Sequence, residues 1–372
     1  MLRHLIAITV VAAGIGTVPT SALAQTGRTE PELRRNATAV HALGIPAVQA
    51  WASDGPHATA VRVGVADVHT GRPVPPNGAF RIASTAKTLT ATVILQLVGE
   101  GRLSIDDPVE RWLPGVVHGR AITVRQLLQH TSGLQDALPG WETEAEYRQM
   151  RYRRDSMAEL VERSVARGVL FEPGGGWSYS TAAYLIADMI IERVTGQPWH
   201  RQFERRIFAP LKLRHTYWPG SSPEIERPHA RAYELFDGEL VDVTSRFTAY
   251  PAGGVVSTTG DLDRFFRALL GGRLLRPTEL AEMMDAVPVS SDVEPIWPDG
   301  LYGLGLVSRE LPCGGRYWGH DGGDAGTITT VGVTADGRRG AVVNTNLALD
   351  DTFDRLLTQL RTTDSLVTGA LC

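Results

Sequence analysis

Phe80-Arg81-Ile82-Ala83-Ser84-Thr85-Ala86-Lys87-Thr88-Leu89 is the stretch on which the reading of this chain turns. Phe80-Arg81-Ile82 reads as a short strand. From Ser84 to Gln96 the pattern turns helical, with Leu89, Val93 and Leu97 on one stripe and Gly101 as the stop. Ser84 thus opens a helix, and Lys87, three residues on, shares its face within reach of the hydroxyl. The start of a helix also favours negative charge on the serine oxygen. The amine is unusual in its setting: of 37 basic residues only Lys87 and Lys212 are lysine. Arginine stays protonated at physiological pH, whereas a desolvated lysine becomes a base. The pair predicts an activated serine nucleophile. Taken alone, the two residues also fit a helix-capping serine beside an exposed amine. Lys212 lies in a Pro-Leu-Lys-Leu loop that suggests no role.

On either side of this stretch the chain runs from strands to helices and back to strands. Val61 to Ala66 alternates as a strand. The helical period then dominates from about Ser104 to Arg214, most clearly at Val124–Gln129, Ser156–Arg167, Thr181–Thr195 and Trp199–Phe208. Val255-Val256-Ser257 reads as a strand and Asp261–Leu270 as a helix. Short strands follow at Leu304–Arg309, Arg316–Gly319, Thr327–Val333 and Ala341–Thr345, before a closing helix at Asp351–Arg361. Residues 25–37 are polar and read as loosely held. The expected fold is α/β (α+β), an antiparallel sheet flanked by helices. Residues 30–105 and 245–372 would form one domain and residues 106–244 an inserted, mostly helical one, with the site in the cleft between them.

Composition narrows the function. A chain of 372 residues, 43% hydrophobic and 21% charged, carries a large core and is not disordered. The net charge of −4 gives no electrostatic support for nucleic-acid binding. Residues 1–24 read as a signal peptide: Arg3 and His4, an apolar run from Leu5 to Val18, and Ala22-Leu23-Ala24 before Gln25. That run is shorter than the ~20 residues of a membrane span, so export without a span is expected. In an oxidising compartment Cys313 and Cys372 are an even pair that either bridges or leaves two free thiols. The ten histidines lack metal-ligand spacing, and neither metal nor cofactor is implied.

Ser84-Thr85-Ala86-Lys87 is the S-x-x-K element of penicillin-binding proteins and serine β-lactamases. Leu127-Leu128-Gln129-His130-Thr131-Ser132-Gly133-Leu134, Tyr179-Ser180-Thr181, Gly253-Gly254-Val255-Val256-Ser257-Thr258, Tyr302-Gly303-Leu304-Gly305-Leu306 and Gly319-His320-Asp321-Gly322 follow in that superfamily's order. The chain most resembles the branch holding secreted D-alanyl-D-alanine carboxypeptidases, class C β-lactamases and related esterases. The resemblance implies the β-lactamase/transpeptidase-like fold and an acyl-Ser84 intermediate. Lys87 and Tyr179 would act as bases, His320 would tune Tyr179 and help hold substrate, and the backbone N–H groups of Ser84 and Gly323 would bind the oxyanion. His130 would satisfy backbone groups in a buried turn. The implied partner is a small-molecule or peptide acyl donor, a peptidoglycan-type peptide or a β-lactam, met by a monomer.

Three departures bear on substrate. Thr181 stands where the second motif usually has Asn. Asp321 replaces the usual Thr of the third motif, placing a carboxylate beside Gly322 and Gly323. Val307 stands where carboxypeptidases of the branch have an Arg for the substrate's terminal carboxylate. Arg309 shares the face of Val307, about 6.6 Å along the strand, and either binds an anion there or faces solvent. The alternatives are therefore an esterase or another amidase on the same machinery, or a binding protein that has lost catalysis.

Overall fold

The computed structural model describes residues 29–372, so the expected signal peptide lies outside the described residues. The strands are β1 (Ala47–Asp54), β2 (His57–Gly64), β3 (Phe80–Arg81), β4 (Tyr233–Phe236), β5 (Glu239–Asp242) and β6 (Val256–Ser257), then β7 (Val287–Pro288), β8 (Leu301–Tyr302), β9 (Val307–Glu310), β10 (Arg316–Gly319), β11 (Gly322–Asp324), β12 (Thr327–Thr334) and β13 (Arg339–Thr345). Nine of them form one sheet in the order β2-β1-β13-β12-β10-β9-β8-β7, with β11 added on β12, and every pairing is antiparallel. The sheet thus draws its strands from both ends of the sequence. Between them the chain is mainly helical, although the β4–β5 hairpin also falls there.

Five helices matter for the site: α1 (Glu30–His41), α2 (Ala86–Gly99), α3 (Thr181–Thr195), α4 (Thr259–Leu270) and α5 (Phe353–Leu371). Period-two alternation sorts the sheet residues between two cores. Val342, Val331 and Val333 pack with α2 and with Leu262, Phe265 and Leu269 of α4. Ala341 and Val343 pack with Leu33 and Val40 of α1 and Leu366 and Val367 of α5. Helix α2 is buried nearly all round: Leu89, Val93 and Leu97 sit in one core with Leu185 and Ile190 of α3. A helix so enclosed holds its first turn rigidly, and that turn carries Lys87.

The structure corrects several expectations. Residues 30–37 are not loose: they belong to α1, whose Leu33, Ala37 and Val40 are buried at helical spacing in a polar segment. The strand expected at Leu304–Arg309 begins only at Val307. Gly305 has φ +73° and its carbonyl accepts from Thr88 Oγ1 at 2.7 Å; a Cβ there would lie 2.7 Å from that of Ala91. The chain turns at Gly305 to fit against α2. Helix α5 runs to Leu371, and Cys372 is bonded to Cys313, closing 59 residues. Among the described residues no helix is long and apolar enough to cross a membrane.

Candidate active site

Ser84 sits in a single 3₁₀ turn, Ala83–Thr85, that leads into α2. Ala83 has φ +48°, a left-handed conformation costly for a residue with a Cβ and one that clusters at functional sites. No side-chain capping bond is made at the start of either the turn or α2, and Lys87 is wholly buried. The alternative of a capping serine beside an exposed amine therefore does not hold.

Lys87 Nζ donates to Ser84 Oγ at 3.0 Å and to Thr181 Oγ1 at 3.3 Å. It lies 4.7 Å from the ring centres of both Tyr179 and Tyr250, and 5.7 Å from that of Tyr184. Burial is the dominant influence and lowers the Lys87 pKa to about 7, against the opposing pull of Asp136 and, once it is ionised, of Asp188. The amine is thus available as a base near neutrality.

Tyr179 reaches this amine from the loop ahead of α3. His130, at φ +62°, organises that loop: its carbonyl accepts from Ser178 N at 2.9 Å and its Nδ1 from Ser180 N at 3.1 Å. Asp136 fixes the start of α3, accepting from Thr181 N at 2.9 Å, Ala182 N at 2.8 Å and Ser180 Oγ at 3.2 Å. Burial raises the Tyr179 pKa, and its hydrogen bond with the Ser84 hydroxyl opposes the rise. The resting phenol is therefore protonated.

The third motif lies at the β10–β11 junction. Ser180 N–H donates to His130 Nδ1, so the proton of neutral His130 is on Nε2, which lies 3.1 Å from Tyr302 Oη. Tyr302 Oη then donates to His320 Nε2 at 2.9 Å, and His320 Nδ1 donates to the Asp321 carbonyl at 2.6 Å. The hydrogen bonds fix one direction for the chain and leave both histidines neutral. Burial first, then the nearby charge of Lys87, lowers the His320 pKa to about 3. Both nitrogens of His320 are engaged, and it meets Tyr179 only as a ring, 6.4 Å between centroids. Direct tuning of Tyr179 by a His320 N–H does not occur in this geometry.

Asp321 and Arg309 are placed otherwise than the sequence suggested. Arg309 neither faces solvent nor offers a free cation: it is buried, with NH2 3.3 Å from Asp321 Oδ1 and NH1 3.2 Å from Asp364 Oδ1. The other oxygen of Asp321 accepts from Trp297 Nε1 at 2.8 Å. The carboxylate thus points into a buried pair and pins Trp297, whose ring lies 6.0 Å from that of Tyr179. Gly322 is required sterically, since a Cβ would lie 2.3 Å from Ile82 O and 2.7 Å from Thr85 Oγ1. Its absence lets β11 lie against the Ser84 turn. A Cβ on Gly323 would meet nothing within 4 Å, so that position opens on free space.

Ser84, Lys87, Tyr179 and Thr181 thus converge, and His320 and Gly322 pack beside them. Asp136, Asp188, Tyr250, Trp177 and Trp297 are not marked by any sequence motif, and Tyr302 is marked only as the start of the Tyr302–Leu306 motif. Their roles depend on contacts between segments distant in sequence.

The β-lactamase family model matches residues 33–362. This chain belongs to that family and is a serine-type hydrolase. The D-stereospecific amidohydrolase from Streptomyces sp. is 36% identical over 86% of this chain and 94% of its own, with a TM-score of 0.78. The D-amino acid amidase from Ochrobactrum anthropi SV3, complexed with L-phenylalanine amide, is 28% identical over 91% and 97%, with a TM-score of 0.77. Penicillin-binding protein 4* of Bacillus subtilis (strain 168) is 29% identical over 310 residues, which span 79% of this chain but 66% of that relative.

Proposed function

We propose that this chain is an exported, monomeric amidase that acylates Ser84 with D-configured aminoacyl groups and releases a neutral amine or ammonia. Neutral Lys87 takes the Ser84 proton as Oγ attacks the carbonyl carbon. The oxyanion is met by the backbone N–H groups of Ser84 and Gly323. Tyr179 gives its proton to the leaving nitrogen, the C–N bond breaks, and the phenol is reprotonated from the Lys87 ammonium. Water then attacks the acyl-Ser84 by the same path in reverse. The Cys313–Cys372 bond supports an oxidising compartment.

The observation that carries the leaving-group assignment is the clamp on Arg309. A substrate ending in a carboxylate needs an uncompensated cation, and the cation bonded to the third motif is already held by two carboxylates. The D configuration is supported by the two amidohydrolase relatives. A second reading, a D-alanyl-D-alanine carboxypeptidase or β-lactamase, is supported by the penicillin-binding relative and shares every step up to the leaving group. Hydrolysis of D- and L-aminoacyl amides can be compared with that of a peptide ending in D-Ala-D-Ala. D-Amides should turn over at least tenfold faster than either competitor, and not at all in Ser84→Ala. Preference for the D-Ala-D-Ala peptide would establish the second reading instead.

A further inference from the structure

Behind Lys87 lies a buried carboxyl that the acyl-transfer steps do not use. Asp188, on α3, is completely buried. Its Oδ1 accepts from Thr90 Oγ1 at 2.8 Å, and Oδ2 has no hydrogen-bond partner. Among the described residues it forms no ion pair. A carboxylate so placed would be a charge in a dry interior with one oxygen unserved, whereas a carboxylic acid needs far less. The surroundings link it to the amine. Thr90 lies one helical turn beyond Lys87 on α2, and its hydroxyl is 3.4 Å from Tyr250 Oη. The ring of Tyr250 is one of those 4.7 Å from Lys87 Nζ.

We infer that Asp188 is a positioning residue which the working enzyme keeps as a neutral acid, anchoring Thr90 and Tyr250 behind Lys87, and that its ionisation ends activity on the alkaline side. The groups facing it are Lys87 and Thr90 from α2, Tyr250 from the segment before β6, and Tyr184 and Glu192 from α3 itself. Lys87 in turn is faced by Asp136, Tyr179, Tyr184, Tyr250, His130 and His320. Burial lifts the Asp188 pKa to about 8, with Glu192 adding to the rise and Thr90, Lys87 and Tyr250 opposing it. The two shifts run in opposite directions, toward a protonated carboxyl beside a free amine, and the pair titrates as a unit. Once Asp188 is ionised, its negative charge opposes release from Lys87 of the proton taken from Ser84. It also repels the alkoxide forming on Ser84. Activity therefore rises as the amine is freed and falls as the acid ionises.

This inference rests on the Ser84–Lys87 reading, and the test separates the two. The second-order rate of Ser84 labelling by a fluorophosphonate is measured from pH 5.5 to 10 on the full chain, with Ser84→Ala as blank. The wild type should give a bell, falling at least tenfold from its maximum by pH 9.5. Asp188→Asn mimics the neutral acid. It should keep the acid limb and a plateau within about fivefold of wild type, yet lose less than threefold by pH 9.5. Thr90→Val, which removes the donor that favours the ionised form, should move the alkaline limb to higher pH and covers the case of an unfolded Asn variant. An Asp188→Asn profile that overlays the wild type would overturn the inference. So would an acid limb shifted to lower pH, the mark of a charged Asp188. Absence of Ser84 labelling in the wild type would instead overturn the reading beneath it.

Discussion

Replacing Lys87 by methionine should stabilise the protein while abolishing its reactivity, and the gain should depend on pH. Among the described residues the amine makes two hydrogen bonds to hydroxyls and no ion pair, in a pocket walled by three tyrosine rings. Burial lowers its pKa from 10.5 to about 7. At about 1.4 kcal/mol per tenfold, that fall corresponds to roughly 5 kcal/mol of folding free energy. The sign follows from proton counting. Between pH 7 and 10.5 the unfolded chain binds the proton and the folded one does not, so stability rises with pH across that window. The cost is fully present below about pH 7 and vanishes above 10.5. Lys87→Met removes it, so the variant should exceed the wild type by several kcal/mol at pH 6, and the difference should shrink steadily toward pH 10. Urea unfolding of both proteins at five pH values, with the disulfide intact, reads this directly. A difference that is constant with pH, or a variant less stable than the wild type at pH 6, would refute the argument that Lys87 is a destabilised, neutral base.

Three further outcomes follow from the geometry. Gly322→Ala should cost at least a hundredfold in turnover and destabilise by about 1–3 kcal/mol, because the added methyl overpacks against Ile82 O and Thr85 and displaces the Ser84 turn; steady-state kinetics on protein shown folded by a thermal melt separates the loss of turnover from misfolding. Arg309→Met leaves Asp321 and Asp364 without their cation and should destabilise by about 3–5 kcal/mol, as breaking a buried pair does, with loss of the fixed Trp297 environment in near-ultraviolet circular dichroism. Cys313→Ser should cost roughly 4 kcal/mol in the chain-entropy treatment of the 59-residue loop, read as a lower urea midpoint that matches the reduced wild type.

The parts of this molecule legible in its sequence are those specified locally. Helix α3 was read from Thr181 to Thr195 because both ends carry their own signals: Ser180 accepts the Ala183 N–H, and Gly196 takes the left-handed stop at φ +70°. The Ser156 helix was legible through its reciprocal Ser156–Glu159 cap. Scarcity of lysine singled out Lys87, and its burial agrees with the reason given. Helix α1 was missed because three apolar residues in a charged segment give a weak period, and only packing on the sheet reveals their use. The environment of Arg309 was illegible for another reason. Its partners come from β10–β11 and from α5, and no spacing rule links those segments. The same holds for Asp136 and Asp188, whose partners Thr181 and Thr90 lie far from them in sequence.

The claim on which the rest depends is that Ser84 carries the acyl group. Quenching the protein during turnover of a p-nitrophenyl ester, followed by peptide mapping by mass spectrometry, tests it most directly. The acyl mass should appear on the peptide containing Ser84 and on no other, and both adduct and turnover should vanish in Ser84→Ala. An adduct on a different residue, or turnover that survives the loss of Ser84, would contradict it.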